Sequence, residues 1–353
     1  MNNTLRLPAE WEAADAILMA WPHAGTDWEY MLDEVRRCYA DIIAAIAPRA
    51  KVILIGPEEP SAEYLPSGDN GLNVIYINVP TNDTWTRDYG PITTVDHDGA
   101  LTANDFKFNG WGLKFAADCD NLATSELLAT GIFGSRCRNR LGFVLEGGAI
   151  ESDGKGTLIT THHCMMSPNR NGDLSQEQIE AYLRDALGVE RILWLWHGAL
   201  EGDDTDGHID TLARLAPPGD VIFYTGCSDP DDSHYEPLAL MRKDLEALRT
   251  ADGKAYHLVE LPLPDAIHDS DDGHRLPATY ANFLIVNGAV ILPVYGQPMK
   301  DLMAQMALRT AMPDYDIVPV DCRALIRQHG SLHCATMQLP AGSLLRECSN
   351  LTL

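Results

Sequence analysis

The stretch SQEQIEAYLRDALGVERILWLW, residues 175–196, decides how the chain folds. Ser175 followed by Gln178 is a capping-box pattern, and Ile179, Tyr182, Leu183, Ala186 and Leu187 share one helical face. Gly188 is placed to end that helix. Ile192 to Trp196 is then a short apolar run of strand character. Helix followed by strand is the unit to look for elsewhere, and it recurs. Residues 26–48 read as a helix, with Thr26 and Glu29 as a capping box and Pro48 as a stop, before the strand Lys51 to Ile55. Asn121 to Thr130 precedes Phe143-Val144-Leu145. Leu238, Met241, Leu245 and Leu248 mark a helix before His257 to Leu261, and residues 301–312 make another before Ile317 to Val320. After the first unit the helices start about every 55–65 residues, the signature of a repeated supersecondary unit. Further strands are expected at Thr157 to Thr161, Val221 to Thr225 and within Phe283 to Val294. The units share no sequence identity, so a two-domain α/β protein stays open, but no Pro/Gly/Ser-rich linker divides the chain and residues 1–353 are expected as a single domain.

Outward from the third strand lies Gly202-Asp203-Asp204-Thr205-Asp206-Gly207-His208-Ile209-Asp210. In an extended segment His208 and Asp210 point the same way, which places an imidazole and a carboxylate in one pocket. Other units deliver comparable groups after their strands. Asp88 sits in Trp85-Thr86-Arg87-Asp88-Tyr89-Gly90-Pro91, Glu146 in Leu145-Glu146-Gly147-Gly148, and Cys334 in Ser331-Leu332-His333-Cys334. Arranged around an axis, four units would bring three carboxylates, an imidazole and a thiol together. Each residue also has a plainer reading. Asp88 could pair with Arg87, Glu146 could cap a turn, Trp85 could be core, and Cys334 is one of eight thiols.

A buried set of carboxylates is costly unless a cation enters it. A guanidinium, with five N–H donors in a fixed fork, fits best. A thiol supplies a nucleophile, and histidine can protonate a leaving group and then activate water. The chemistry implied is hydrolysis at a guanidinium carbon with release of ammonia. Metal readings fail: His162-His163-Cys164 lacks zinc-ligand spacing, and Gly202 stands at the first position of an EF-hand-like frame that has no Glu at its end. No metal or organic cofactor is expected.

Composition narrows the classes. The 353 residues are 45% hydrophobic and 22% charged, with a formal net charge of −25, which argues against nucleic acid and for a cationic ligand. The N-terminus lacks the apolar core of a secretory signal, and the longest apolar run, Phe283 to Val294, is broken by Asn287-Gly288 and too short for a bilayer. Eight scattered cysteines without a Cys-x-x-Cys pair read as free, mostly buried thiols of a cytoplasmic protein. The acidic stretches Asp229 to Ser233 and Asp265 to Asp272 read as solvated loops.

Four motifs in order resemble the agmatine deiminase family, which includes bacterial peptidylarginine deiminase-like proteins. They are Trp85-Thr86-Arg87-Asp88-x-Gly90-Pro91, Leu145-Glu146-Gly147-Gly148, Asp204-Thr205-Asp206-Gly207-His208-x-Asp210 and Leu332-His333-Cys334-x-Thr336-x-Gln338-x-Pro340. Pro8-Ala9-Glu10-Trp11, Asn104 to Gly112, Ser167 to Asn171 and Tyr280-Ala281-Asn282-Phe283 fit as well. The resemblance implies a five-fold pseudosymmetric α/β propeller of ββαβ-type modules. By motif position it implies Cys334 as nucleophile, His208 as general acid/base with Glu146 beside it, and Asp88 and Asp210 as guanidinium ligands. Trp85 and Asp204 are expected to bind substrate. Ser331 stands where the family has Asn, and Asp204 where it often has Glu. The expected reaction is agmatine to N-carbamoylputrescine and ammonia, in polyamine biosynthesis. The alternatives are deimination of arginine residues, amidino transfer, or a non-catalytic guanidine or polyamine binder; a papain-like protease would have no use for the carboxylates. No membrane or nucleic-acid partner is expected, and self-assembly into a homo-oligomer is left open.

Overall fold

The computed structural model describes residues 5–345. Among them the strands form five small sheets, one of four strands and four of three. Within every sheet one strand runs antiparallel to its neighbour on one side and parallel to its neighbour on the other. A parallel pair needs a long crossover, and here a helix supplies it. Leu32–Ile46, Asp120–Ala129, Gln176–Leu187, Tyr235–Ala247 and Pro298–Ala311 are those helices. Each three-stranded sheet is therefore a ββαβ unit, and the four-stranded one is such a unit with Met337–Pro340 as its opening strand and Val74–Asn78 added in parallel.

The third unit follows its sequence closely. Ser175 and Gln178 exchange the capping-box hydrogen bonds, Gly188 closes the helix with φ 68°, and the strand Arg191–Leu195 follows. Ile179, Leu183, Ala186 and Leu187 are buried against the sheet. The first helix differs. It begins with a 3-10 turn at Glu29–Met31 and runs Leu32–Ile46. The expected cap lies ahead of it: the Thr26 hydroxyl accepts from the Trp28 amide at 3.3 Å and donates to the His23 carbonyl at 2.7 Å, within a turn that closes before the helix begins. The run Phe283 to Val294 is a hairpin, Leu284–Val286 against Ala289–Val294, turned by Asn287 and Gly288, both at positive φ. Asn-Gly favours that backbone conformation.

The first sheet closes the chain on itself. Ala14–Ala20 pairs antiparallel with Met337–Pro340, placing Leu18 opposite Met337. The acidic stretches are not merely solvated: Asp232 takes both Arg275 nitrogens, at 2.9 and 2.8 Å, and Asp269 pairs with Arg327. Seven free cysteines are described, of which Cys38, Cys164, Cys322 and Cys334 are buried; Cys348 lies outside the described residues. Among the described residues no helix is long and apolar enough to cross a membrane.

Candidate active site

The segments that pass from one sheet to the next carry the chemistry. Each ends just ahead of the strand that opens, or for the first sheet closes, the next sheet. Asp88 lies in the single helical turn Thr86–Tyr89 before Ile92–Val95. Glu146 precedes the 3-10 turn Gly147–Ala149 before Ile150–Ser152. His208 caps the turn Ile209–Leu212, which contains Asp210, before Ala213–Ala216. Cys334 precedes Met337–Pro340. The remaining segment, ahead of Leu284–Val286, supplies Asn282. Five connections thus converge where the sequence suggested four. His208 and Asp210 do so across a helical turn and not along an extended segment, so the alternation argument gave a sound meeting for the wrong local geometry.

Cys334 is buried, with its S–H 3.8 Å from Asp210 Oδ2 and Asn282 Nδ2 donating to its Sγ at 3.3 Å. Burial pushes the thiol well above its usual range, and the Asp210 and Asp88 charges push the same way. Asp88 accepts from Trp111 Nε1 at 2.9 Å and from the Gly148 amide at 3.0 Å, and lies 3.6 Å from His208 Nδ1. Burial raises the Asp88 carboxyl, against the pull of His208. For His208 burial favours the neutral ring, but Asp88, then Cys164 and Glu146, outweigh it and hold the imidazole up at about 10. Burial would also raise Asp210; the hydrogen bond and charge of His333, 2.7 Å from Oδ2, outweigh it and keep the carboxyl low. At neutral pH the resting set is a thiol, an imidazolium and at least one carboxylate. Both nitrogens of His208 and Oδ1 of Asp210 are buried without a hydrogen-bond partner, among the described residues. Orphaned polar atoms of this kind call for an explanation, and a polar ligand is the direct one.

Two glycines make the geometry feasible. A Cβ on Gly148 would fall 2.6 Å from His208 Nδ1 and 2.8 Å from Asp88 Oδ1. One on Gly330 would fall 2.4 Å from the Trp85 ring. Cys334 lines a pocket, partly open to solvent, together with Trp85, Trp111, Phe115, Asp27, Asp83, Asp88, Asp204 and His329 among others, with no Lys or Arg. Asp204 Oδ1 is buried and unpartnered, and burial raises its carboxyl.

The plainer readings fare unevenly. Arg87 does not pair with Asp88; it turns away to Glu10 and Gln338. Glu146 makes no side-chain cap and instead receives both bonds of Arg170 Nε, at 2.8 and 3.0 Å. Trp85 is both core, beside Trp28, and pocket wall. Sequence reasoning passed over Asn282, His333, Arg170 and Trp111 as site residues. Trp111 carried a visible signal, a flanking pair of glycines: it sits at φ 52°, ψ 47°, a strained backbone that aims its indole at Asp88. Cys164, set aside as a zinc ligand from its neighbours in sequence, has its donor atom within 4.8 Å of those of Glu146 and His208. The guanidinium of Arg170 already occupies that carboxylate, so a metal there would face a fixed positive charge.

The chain is similar to known proteins over most of its length. Residues 6–340 match the model of the Porphyromonas-type peptidyl-arginine deiminase family. The agmatine deiminase of Stutzerimonas stutzeri is 36% identical, over 95% of each chain. A crystal structure from Porphyromonas gingivalis, provisionally assigned as an arginine deiminase, is 46% identical with TM-score 0.90, covering 97% of this chain and 100% of that one. A C. jejuni agmatine deiminase variant with substrate bound is 35% identical with TM-score 0.89, covering 97% and 98%. The chain is a member of the Porphyromonas-type peptidyl-arginine deiminase family.

Proposed function

We propose that this protein is an agmatine deiminase, hydrolysing agmatine to N-carbamoylputrescine and ammonia in the cytoplasm as a step of polyamine formation. The observation that carries it is a pair of buried carboxylates, Asp88 and Asp210, beside a thiol in a pocket lined by four aspartates and no Lys or Arg. Such a pocket suits a ligand cationic at both ends, and agmatine is one. The names borne by relatives with near-full coverage point the same way. The five ββαβ units are read as blades of a pseudo-five-fold propeller in a single domain, with the site on its axis.

In the proposed mechanism the guanidinium enters between Asp88 and Asp210. Its charge offsets the two carboxylates that hold the Cys334 proton in place, so that proton is lost to solvent through the pocket and the thiolate forms. Sulfur attacks the guanidinium carbon. The His208 imidazolium gives its proton to the departing nitrogen, which leaves as ammonia, and an S-alkylthiouronium remains on Cys334. Neutral His208 then takes a proton from water as the oxygen attacks the same carbon; the C–S bond breaks, the adduct's hydroxyl proton is released to form the ureido carbonyl, and Cys334 takes up a proton to return to the thiol. Glu146, fixed by Arg170, supports the charged form of His208.

The test is ammonia and ureido product measured side by side from agmatine, free arginine and a peptide ending in arginine. Agmatine should win by kcat/KM. Preference for the peptide, whose carboxylate this acidic mouth repels, would leave the deiminase chemistry and remove the substrate.

A further inference from the structure

We infer that His333 is a positioning residue: clamped between Glu10 and Asp210, it fixes the Asp210 carboxylate with one oxygen turned away and the other left for the guanidinium. The inference rests on the reading of Asp210 as a substrate ligand and adds the part that makes it one.

The geometry is closed on one side and open on the other. His333 Nδ1 is 2.7 Å from Asp210 Oδ2, and Nε2 is 2.6 Å from Glu10 Oε2. Glu10 is itself immobilised. Its Oε1 accepts from Arg214 Nη2 at 2.9 Å and from the Ile285 amide at 2.7 Å, and its Oε2 from Arg87 Nη2 at 3.3 Å. An ionised carboxylate only accepts, so an imidazole facing two of them is satisfied only when both ring nitrogens carry hydrogen. The backbone of His333 is pinned too, its amide donating to Asn282 Oδ1 at 2.9 Å. Asp210 is thus held by Oδ2 alone, while Oδ1, buried among the same groups, has no partner. A carboxylate free to rotate would present either oxygen. One fixed by a charged hydrogen bond presents only Oδ1, in one orientation.

The same contact sets the charge. Asp210 is wholly buried, and burial alone favours its neutral form, which accepts from a guanidinium far less well. Loss of His333 should therefore cost substrate affinity and also move the pH at which affinity is lost.

Side-chain amides separate the two contacts of the ring. In His333→Asn the amide nitrogen takes the place of Nδ1 and still donates to Asp210. In His333→Gln it takes the place of Nε2 and reaches only Glu10. His333→Ala keeps neither. The charged neighbours Glu10, Arg87, Arg214, Glu151, Cys334 and His208 are left unchanged in all three. We would measure kcat and KM for agmatine across pH on the full-length enzymes, with thermal unfolding alongside. His333→Ala and His333→Gln should raise KM about tenfold or more, the worth of one charge-assisted hydrogen bond. The acid limb of kcat/KM should move up by about one pH unit, and His333→Asn should recover most of both.

Three results overturn the inference. One is a wild-type acid limb and KM in His333→Gln. Another is equal damage in the Asn and Gln variants. The third is loss of fold in both, which would make His333 structural. Asp210→Asn keeps this failure apart from that of the reading beneath it. If Asp210→Asn binds agmatine normally, the assignment of Asp210 fails. If it loses binding while the His333 variants keep the wild-type limb, only the positioning role fails.

Discussion

Two buried ionic clusters lie back to back in this molecule, and they differ in one respect. The lower one joins Glu10, Glu151, Arg87, Arg214 and His333, and its polar atoms are all partnered: Arg214 pairs with Glu10 and Glu151, and Arg87 pairs with Glu10 and donates to the Gln338 amide oxygen. None of its side-chain atoms is orphaned among the described residues. The upper one holds Asp88, Asp210, His208 and Cys334, and keeps His208 Nδ1, His208 Nε2 and Asp210 Oδ1 unpartnered at comparable depth. Burial is therefore not what marks a site. A satisfied cluster holds a fold together; one left short of partners awaits a ligand and costs stability meanwhile. The chain crosses between the two at adjacent residues, Arg87 going down and Asp88 up, and His333 going down while Cys334 goes up.

The sharpest separation should come from removing the nucleophile. Cys334→Ser should lower turnover by about 10⁴-fold or more while agmatine binding, measured by calorimetry, persists. Thermal unfolding should be unchanged or slightly later, since a serine hydroxyl among carboxylates finds partners more readily than a thiol does. Wild-type enzyme quenched during turnover should carry a substrate-derived adduct on Cys334. An active Cys334→Ala enzyme, or an adduct on another cysteine, would break the division at its upper half.

The lower cluster should fail in the opposite way. Arg214→Met keeps the length of the side chain and leaves Glu10 and Glu151 buried against one less cation. The loss should be about 3–5 kcal/mol in urea unfolding, as for removal of one partner from a buried pair. Enzyme that remains folded should keep most of its kcat for agmatine, with KM raised only as far as the Glu10–His333–Asp210 clamp loosens. A variant as stable as wild type but unable to turn over would assign Arg214 to the chemistry and merge the two clusters.

Much of this was legible in the sequence, and where it was not the reason is physical. Periodicity and caps located the ββαβ units because helix and strand are local matters, as the Ser175 capping box and Gly188 show. The first helix start was misplaced because Thr26 accepts from the Trp28 and Glu29 amides in a separate local turn ahead of the helix, a distinction that pattern alone does not draw. Asp88, Glu146, His208, Asp210 and Cys334 stood out because acids, an imidazole and a thiol recur just after the strands of successive units, which is a local pattern. Asn282 and Trp111 carry no such mark. Their roles come from where the fold delivers them, beside Sγ and Asp88, and the fifth connection showed only as the repeat and the stretch Tyr280-Ala281-Asn282-Phe283.

Titration offers a gentler way to tell the regions apart. The folded His208 sits at about 10 against 6.5 for a free imidazole, so the folded state binds that proton more tightly. Its contribution to stability is fully present below about 6.5 and is lost as pH rises through about 10. His208→Gln should flatten that alkaline fall when urea midpoints are taken from pH 6 to about 10. A slope unchanged by the substitution would place the titration elsewhere.

The smallest effect expected lies at the pocket mouth, where Asp204 belongs to neither cluster. Its Oδ1 is buried and unpartnered, and burial raises its carboxyl, so it resembles the upper cluster in waiting for a cation. The proposed cation is the ammonium of agmatine, bound alike in the ground and transition states. Asp204→Asn should then raise KM for agmatine more than it lowers kcat. The expected loss is about 1–2 kcal/mol, the worth of one charged hydrogen bond that is partly wet. Arginine, which brings a carboxylate to the same place, should gain or stay level, because the substitution removes a repulsion as well as an attraction. If KM for agmatine is unchanged, Asp204 leaves the site, and its orphaned oxygen needs an explanation other than substrate.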